Sequence, residues 1–424
     1  MKVNPLLFLW AFPALLLTSC TDKCEETRTV KRFVPITLTL RQVREGVRVE
    51  EARTLQKPGK IYTKDGYLFI NEVKEGIHLI DNRNPESPRQ IAFLRIPGNG
   101  DMAVRNNILY ADSYMDLVAF DISDPAQPRE VSRVESVFTN GQFEGGSWVV
   151  NTQNVSLSDQ RVEYVTETVK TDCDAVGQWS SCPNCVFFDG FANAGSLSSP
   201  APNTNGTSGS MARFALYDNF LYTVSQSDLQ LFDIQNAAKP AARNRINLGW
   251  GIETIFPYKD KLFIGSQTGM HIYDNANPAN PTRLSTFEHA RVCDPVVVND
   301  NIAYVTLRNG TQCGGFTNQL DVIDISSLTN PRLLKSYPMQ NPHGLGVDFP
   351  NLFICEGANG LKTFNAQSAT DIKQLEHLTD MNAYDVIPLQ KTLLMIGRDG
   401  LYQFDYTNPS QLRQLSKIAV KRPY

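Results

Sequence analysis

Five polar residues recur close to the start of a repeated strand pattern: Asp101, Glu253, Asp294, His343 and Asp385. If those strands stand around one axis, the five side chains converge at one mouth of it. Four carboxylates and an imidazole so gathered could bind Ca²⁺ or another divalent cation, because hard cations take oxygen ligands. A metal held there would open a route to hydrolase or lyase chemistry. The plainer assignment is structural: acids at strand starts accept from neighbouring backbone N–H groups and fix where the strand begins. That assignment weighs more, since the acid recurs as part of the repeat. His78 and His271 share one position of the third strand in two copies, which suggests an exposed face and not a constellation. The sequence has no HExxH, no GxSxG elbow, no GxxxxGK[ST] loop and no GxGxxG after a strand. No catalytic residue is assigned, and no cofactor beyond the cation.

The elements that would position these residues follow from one repeat. An apolar residue, an Asp and a turn recur at Ile80-Asp81, Phe120-Asp121, Phe232-Asp233, Tyr273-Asp274, Ile323-Asp324, Phe364-Asn365 and Phe404-Asp405. Prolines follow most copies, as at Pro85, Pro125, Pro278 and Pro409. Upstream of each lies a second strand core, such as Tyr67-Leu68-Phe69-Ile70 or Leu262-Phe263-Ile264. The segments alternate apolar and polar, as Leu229-Gln230-Leu231-Phe232 does, which is the period of a strand. Asp or Asn at the strand end accepts from backbone N–H groups in an Asx-turn, and Pro presets φ near −65° so that the chain reverses. A unit of about 40 residues and four strands cannot bury both faces alone, so the copies must stack, and radial stacking fits best.

The copies resemble the LVIVD-repeat family, most closely at Phe120-Asp121-Ile122-Ser123-Asp124-Pro125 and Val322-Ile323-Asp324-Ile325-Ser326. The resemblance implies a β-propeller and no settled activity. The expected fold is therefore all-β, a seven-bladed β-propeller of four-stranded blades over 57–420, with copy six least regular because Asn365 replaces Asp and no proline follows. An insertion over 136–210 separates copies two and three, with a short strand at Val162–Thr166 and a Gly/Ser/Pro/Asn tail. A smaller insertion, Arg308 to Thr317, interrupts copy five. Ahead of the first copy, Val34–Leu40 is expected to be a strand that closes the ring or covers an edge, because an open edge invites aggregation.

Residues 1–19 read as a targeting segment. Lys2 precedes the apolar run Leu6–Leu17, too short to span a bilayer as a helix but suited to a signal peptide. It ends in Leu17-Thr18-Ser19-Cys20, which resembles a bacterial lipobox with Cys20 as the acylated residue. Residues 20–56 then serve as a polar tether and N-terminal strand segment. Glu25-Glu26 close behind the anchor fits either a surface-export signal or a plain hydrophilic tether. The expected place is the outer membrane, with the cell surface as the further option.

Export makes disulfides the leading use of the remaining cysteines. Cys293 and Cys313 would pin the copy-five loop, and Cys173, Cys182 and Cys185 would bridge inside the large insertion. Zinc on Asp172, Asp174 and the single CxxC ranks behind, because no second pair stands at finger spacing. Cys355 falls on a buried strand as an inert thiol. The formal charge of −4 excludes a nucleic-acid surface, which needs a basic stripe. The expected function is a lipid-anchored binding or scaffold protein with a protein or glycan partner and the insertion as contact arm. The alternative is the metal-dependent hydrolase or lyase at the channel mouth.

Overall fold

The computed structural model describes residues 23–143, 146–151, 156–172, 207–289, 295–309 and 317–421. The chain forms two compact units, 1–34 with 161–187 and 35–160 with 188–424. In the first unit, 23–34 and 161–172 are strand, joined by Arg32 to Glu167 at 3.3 Å and by the hydroxyls of Thr27 and Thr168 at 3.4 Å.

In the second unit the repeat sets the architecture. Among the described residues seven antiparallel sheets follow one another along the chain, each with four strands consecutive in sequence. Sheet four shows the pattern with Ile252–Tyr258, Lys261–Ser266, Gly269–Asp274 and Thr282–Glu288. The first three strands are mostly buried and the fourth half-exposed, so apolar residues concentrate toward the first strand. Side chains such as Phe69, Phe120, Phe232, Phe263 and Phe353 are fully buried. Each contributes about 1.5–3 kcal/mol relative to exposure.

All seven corners form the expected Asx-turn. Asp121 Oδ1 accepts from Ser123 N at 2.9 Å, Asp233 from Gln235 N at 2.9 Å, Asp324 from Ser326 N at 2.8 Å and Asp405 from Thr407 N at 2.8 Å. Asp81 and Asp274 accept from Arg83 N and Ala276 N at 3.2 Å. Asn365, the departure in copy six, accepts from Gln367 N at 2.8 Å, because an amide oxygen serves as well as a carboxylate. Beside every corner the register between third and fourth strands shifts by a bulge, which adds local twist.

The first strand of each sheet touches the first strand of the next, from Pro58–Lys64 through Met102–Arg105, Phe214–Tyr217, Ile252–Tyr258, Val296–Asn299 and Leu345–Asp348 to Ala383–Leu389. Sheet seven in turn meets sheet one, where Thr392–Gly397 touches Pro58–Lys64. Asn82 and Gln403 exchange amide hydrogen bonds across that junction, Ser416 donates to Pro85 O, and Leu55 bridges Val420. The four consecutive strands of each of these two sheets come from its own end of the chain.

Two expectations are corrected. Val34–Thr39 does not cover an edge of the repeat body. It lies in the strand Lys23–Thr39, whose hydrogen-bonded neighbour is Ser156–Asp172 of the insertion, and Leu40 opens a helix, Leu40–Glu45, capped by a Thr39–Gln42 capping box. The edge is covered by Arg48–Glu51, paired with the outer strand Arg89–Arg95 of sheet one. Strand in the described part of the insertion also extends beyond the one short strand expected, while its tail over 194–206 lies outside the described residues. Asn140–Phe143 and Gly146–Asn151 form a hairpin, and Val162–Thr166 is only the middle of the strand Ser156–Asp172.

The chain returning from the insertion crosses between the first strands before sheet three begins. Thr207–Ser208 pairs with the free side of Pro58–Lys64 in sheet one. Ser210 Oγ then accepts from Leu345 N of sheet six at 3.0 Å, and Ala212 O accepts from Ile255 N of sheet four at 2.9 Å. Ser210, Met211 and Ala212 are buried.

Candidate functional site

A cavity of about 130 Å³ opens over the starts of the first strands of sheets one to four. Its floor carries Lys60, Asp101, Arg213 and Glu253, and its opposite wall carries Phe143 and Trp148 of the insertion hairpin. The hairpin is fixed there by local packing. Tyr114 meets the Trp148 ring edge-on at 5.5 Å and donates to Asp159 at 2.7 Å, while Lys74 Nζ bonds Asp159 at 2.8 Å. Gly141 allows the indole to lie against the hairpin backbone, where a Cβ would collide with it.

Strand register relates the floor residues. Ile61, Met102, Phe214 and Val386 pair with matching positions of their second strands, so Lys60, Asp101, Arg213 and Asp385 share one row. His343 stands one residue earlier in its copy. So does Glu253, which falls in a bulge between Ile252 and Thr254. The bulge releases Glu253 from the pleat and lets it face the cavity.

Asp101 is saturated. Its Oδ2 accepts from Lys60 Nζ at 2.6 Å and from the amides of Arg213 and Phe214, and its Oδ1 accepts from Met102 N at 2.7 Å. One carboxylate thus ties sheets one, two and three together. Behind it, Asp112 Oδ1 accepts from Asn99 Nδ2 and Gly100 N at 2.8 Å and from Asp101 N at 2.9 Å. Burial still pushes Asp112 up to about 6, with the two amides opposing.

Glu253 and Arg213 differ from that closed pair. Glu253 Oε1 accepts from Gln267 Nε2 at 2.9 Å, but Oε2 is buried with no hydrogen-bond partner. Burial raises its pKa, opposed by Gln267 and by the field of Arg213. Arg213 is half-buried at the cavity, and among the described residues its guanidinium closes no ion pair with Glu253.

The five residues expected at one mouth are therefore divided. Asp101 and Glu253 line one cavity. Asp385 is fully buried away from it, and neither carboxylate oxygen meets a partner of good geometry; burial drives its pKa well up. His343 is buried against Tyr384, ring centroids 5.4 Å apart, with Nδ1 unpartnered and its pKa driven well down by burial, so it is neutral. Asp294 lies outside the described residues, as do Cys20, Cys173, Cys182, Cys185, Cys293 and Cys313. Cys355 is a buried free thiol. Among the described residues no three His, Cys, Asp or Glu side chains come together as a metal site. Lys60, Asp112 and Arg213 were not legible as site residues, nor were Phe143 and Trp148. The available signal was a basic residue standing where other copies carry an acid.

Comparison with solved structures places the chain among proteins of very low sequence identity. The computationally designed protein Ika8 matches at 9% identity over 88% of this chain and 91% of its own, with TM-score 0.52. Sqt1 of Saccharomyces cerevisiae matches at 8% identity over 88% and 87%, TM-score 0.50. BamB of Moraxella catarrhalis matches at 11% identity over 92% of each chain, TM-score 0.47. At these identities the likeness concerns fold alone. No curated protein matches the chain. The LVIVD-repeat model matches residues 99–136 and 291–338, which contain the corners Asp121 and Asp324. The chain thus carries LVIVD repeats at these two stretches, and repeats of this kind form β-propellers.

Proposed function

We propose that this protein is a binding protein of the bacterial cell envelope: a seven-bladed propeller, lipid-anchored through Cys20, that takes its ligand in the cavity between the blade starts and the insertion hairpin. Seven matching corners and the return of contacts from sheet seven to sheet one support the blade number. The lipobox-like Leu17-Thr18-Ser19-Cys20 supports the anchor. The observation that carries the binding role is the cavity itself. It brings Phe143 and Trp148 together with Arg213 and with Glu253, whose Oε2 is buried without a hydrogen-bond partner among the described residues, as a site that a ligand completes would do.

The binding role is tested by pull-down from detergent-solubilised membranes with wild-type protein and with Arg213→Met, a half-buried residue of the cavity. A component retained by the wild type and lost with the variant, at unchanged thermal midpoint, supports it. Equal retention by both overturns it. The anchor is tested separately by metabolic labelling with a radioactive fatty acid: label on the wild type and none on Cys20→Ser is the expected pair.

A further inference from the structure

We infer that Lys60 and Asp101 condense into an amide that joins sheets one and two covalently, with Asp112 carrying the proton. The bond is independent of whatever the cavity binds. Lys60 Nζ meets Asp101 Oδ2 at 2.6 Å, and the two side chains are only 12% and 5% exposed. Such a pair has lost most of the solvation that keeps it ionic. Burial draws the Lys60 amine below its ordinary value, against the opposing pull of Asp101. A proton passed from nitrogen to Asp101 Oδ1 leaves an amine with a free lone pair beside a carboxyl carbon.

The surroundings of the pair suit the reaction. The backbone N–H groups of Arg213 and Phe214 both donate to Oδ2, the oxygen on which charge develops when nitrogen attacks. Two amides aimed at one oxygen stabilise a tetrahedral intermediate. Met102 N donates to Oδ1 at 2.7 Å and fixes the plane of the carboxyl group. Asp112 lies in the field of both Lys60 and Asp101, and burial pushes it up to about 6. An acid so placed gives a proton and takes one back near neutral pH.

The atoms balance. The Lys60 nitrogen bonds Cγ of Asp101 while the π pair moves onto Oδ2. Asp112 gives its proton to Oδ1 and takes one from nitrogen. The pair on Oδ2 returns, the Cγ–Oδ1 bond breaks, and Oδ1 leaves as water. Asp112 ends as it began, and nothing is oxidised or reduced.

Two other lysine–acid pairs serve as comparisons. Lys74 Nζ is shared between both oxygens of Asp159 and Gln160 O, and Tyr114 supplies the other donor to Asp159. Lys362 meets Glu356 Oε2 at 2.7 Å, while the amide of Gln340 goes to Oε1. Among the described residues neither pair has a backbone amide on the oxygen that meets the lysine. Both are expected to stay ionic.

The test is a tryptic peptide map of the purified full chain, unfolded before digestion and read by mass spectrometry. The expected product joins residues 54–64, uncut after Lys60, to residues 96–105, and is lighter than the two separate peptides by one water. Fragmentation should place the link at Lys60 and Asp101, and Lys60→Arg should lack it. Asp112→Asn keeps the acceptor for Asn99, Gly100 and Asp101 but not the transferable proton, and is expected to slow linking about a hundredfold. Recovery of both peptides unlinked from wild-type protein held folded for days overturns the inference, and that result depends on no variant. Linking in Asp112→Asn at the wild-type rate overturns the proton assignment. A link at Lys74–Asp159 or Lys362–Glu356 overturns the role given to the two amides.

Discussion

Asp121 and Asp112 belong to the same sheet, on neighbouring strands, and they shift in opposite directions. Asp121 sits at the corner that every copy repeats, where the Ser123 hydroxyl and amide hold it below the usual carboxylate range. Asp112 accepts from three N–H groups and is nonetheless pushed up to about 6 by burial. Hydrogen bonding is comparable at the two places, so access to water makes the difference. The same contrast runs through the molecule. Corner acids Asp324 and Asp405 are held low by Ser326 and Thr407 of their turns, and Asp233 and Asp274 first by Arg243 and Lys261 and then by turn amides, whereas Glu253 and Asp385, which stand outside the corner pattern, are raised by burial. Acids that recur at the corner maintain the framework. Asp101, Glu253 and Asp385 lie instead among the first strands, where burial is compensated by a partner at Asp101 and left uncompensated at Asp385.

Four changes break or sharpen this contrast. The largest effect is expected from Asp101→Ala, which strands the buried Lys60 ammonium; removing one partner of such a pair costs about 3–5 kcal/mol, read as a lower urea midpoint. The opposite sign is expected from Asp385→Val, which removes a buried acid with no partner of good geometry and stabilises the fold by about 1–3 kcal/mol. The pH dependence follows. The folded protein keeps Asp385 protonated, while the unfolded chain releases that proton above about pH 3.9, so wild-type stability declines as pH rises past that value. Asp112 adds to this decline up to about pH 6. Asp385→Val flattens most of the slope in a series of urea melts, and an unchanged slope contradicts the assignment.

A smaller loss is expected from Asp121→Ala, which deletes one corner's local bonds. Because Asp121 is held low, its contribution is present at neutral pH and disappears as pH falls below the ordinary carboxylate range. Thermal melts at pH 7 and pH 3 should show a gap between wild type and variant that closes at the lower pH. The smallest effect is expected from Asn365→Asp, which restores the repeat's own residue without changing the acceptor atom. Its thermal midpoint should match the wild type.

The corners were legible in the sequence because each is a local event. Asp121 finds Ser123 two residues along, and no distant partner has to be known. Seven copies of one local signal were enough to place four strands each. The strand Lys23–Thr39 was not assignable in the same way, since its hydrogen-bonded neighbour Ser156–Asp172 is far off in the chain and nothing in either stretch marks the other. At the cavity, Asp101 and Glu253 were legible as acids near strand starts. Counting along the chain did not separate Asp385 from them, because burial depends on neighbouring sheets. Lys60 and Arg213 occupy the row of Asp101, yet a search for acids passes over them. The bulge at Glu253 moves one side chain out of step, a displacement that periodicity alone cannot register.

The stretch from Thr207 to Ala212 has one more consequence. It ties to sheets one, six and four on its way to sheet three, so six residues couple the return of the insertion to four sheets at once. A change that loosens this short segment is felt in sheets that stand far apart along the chain.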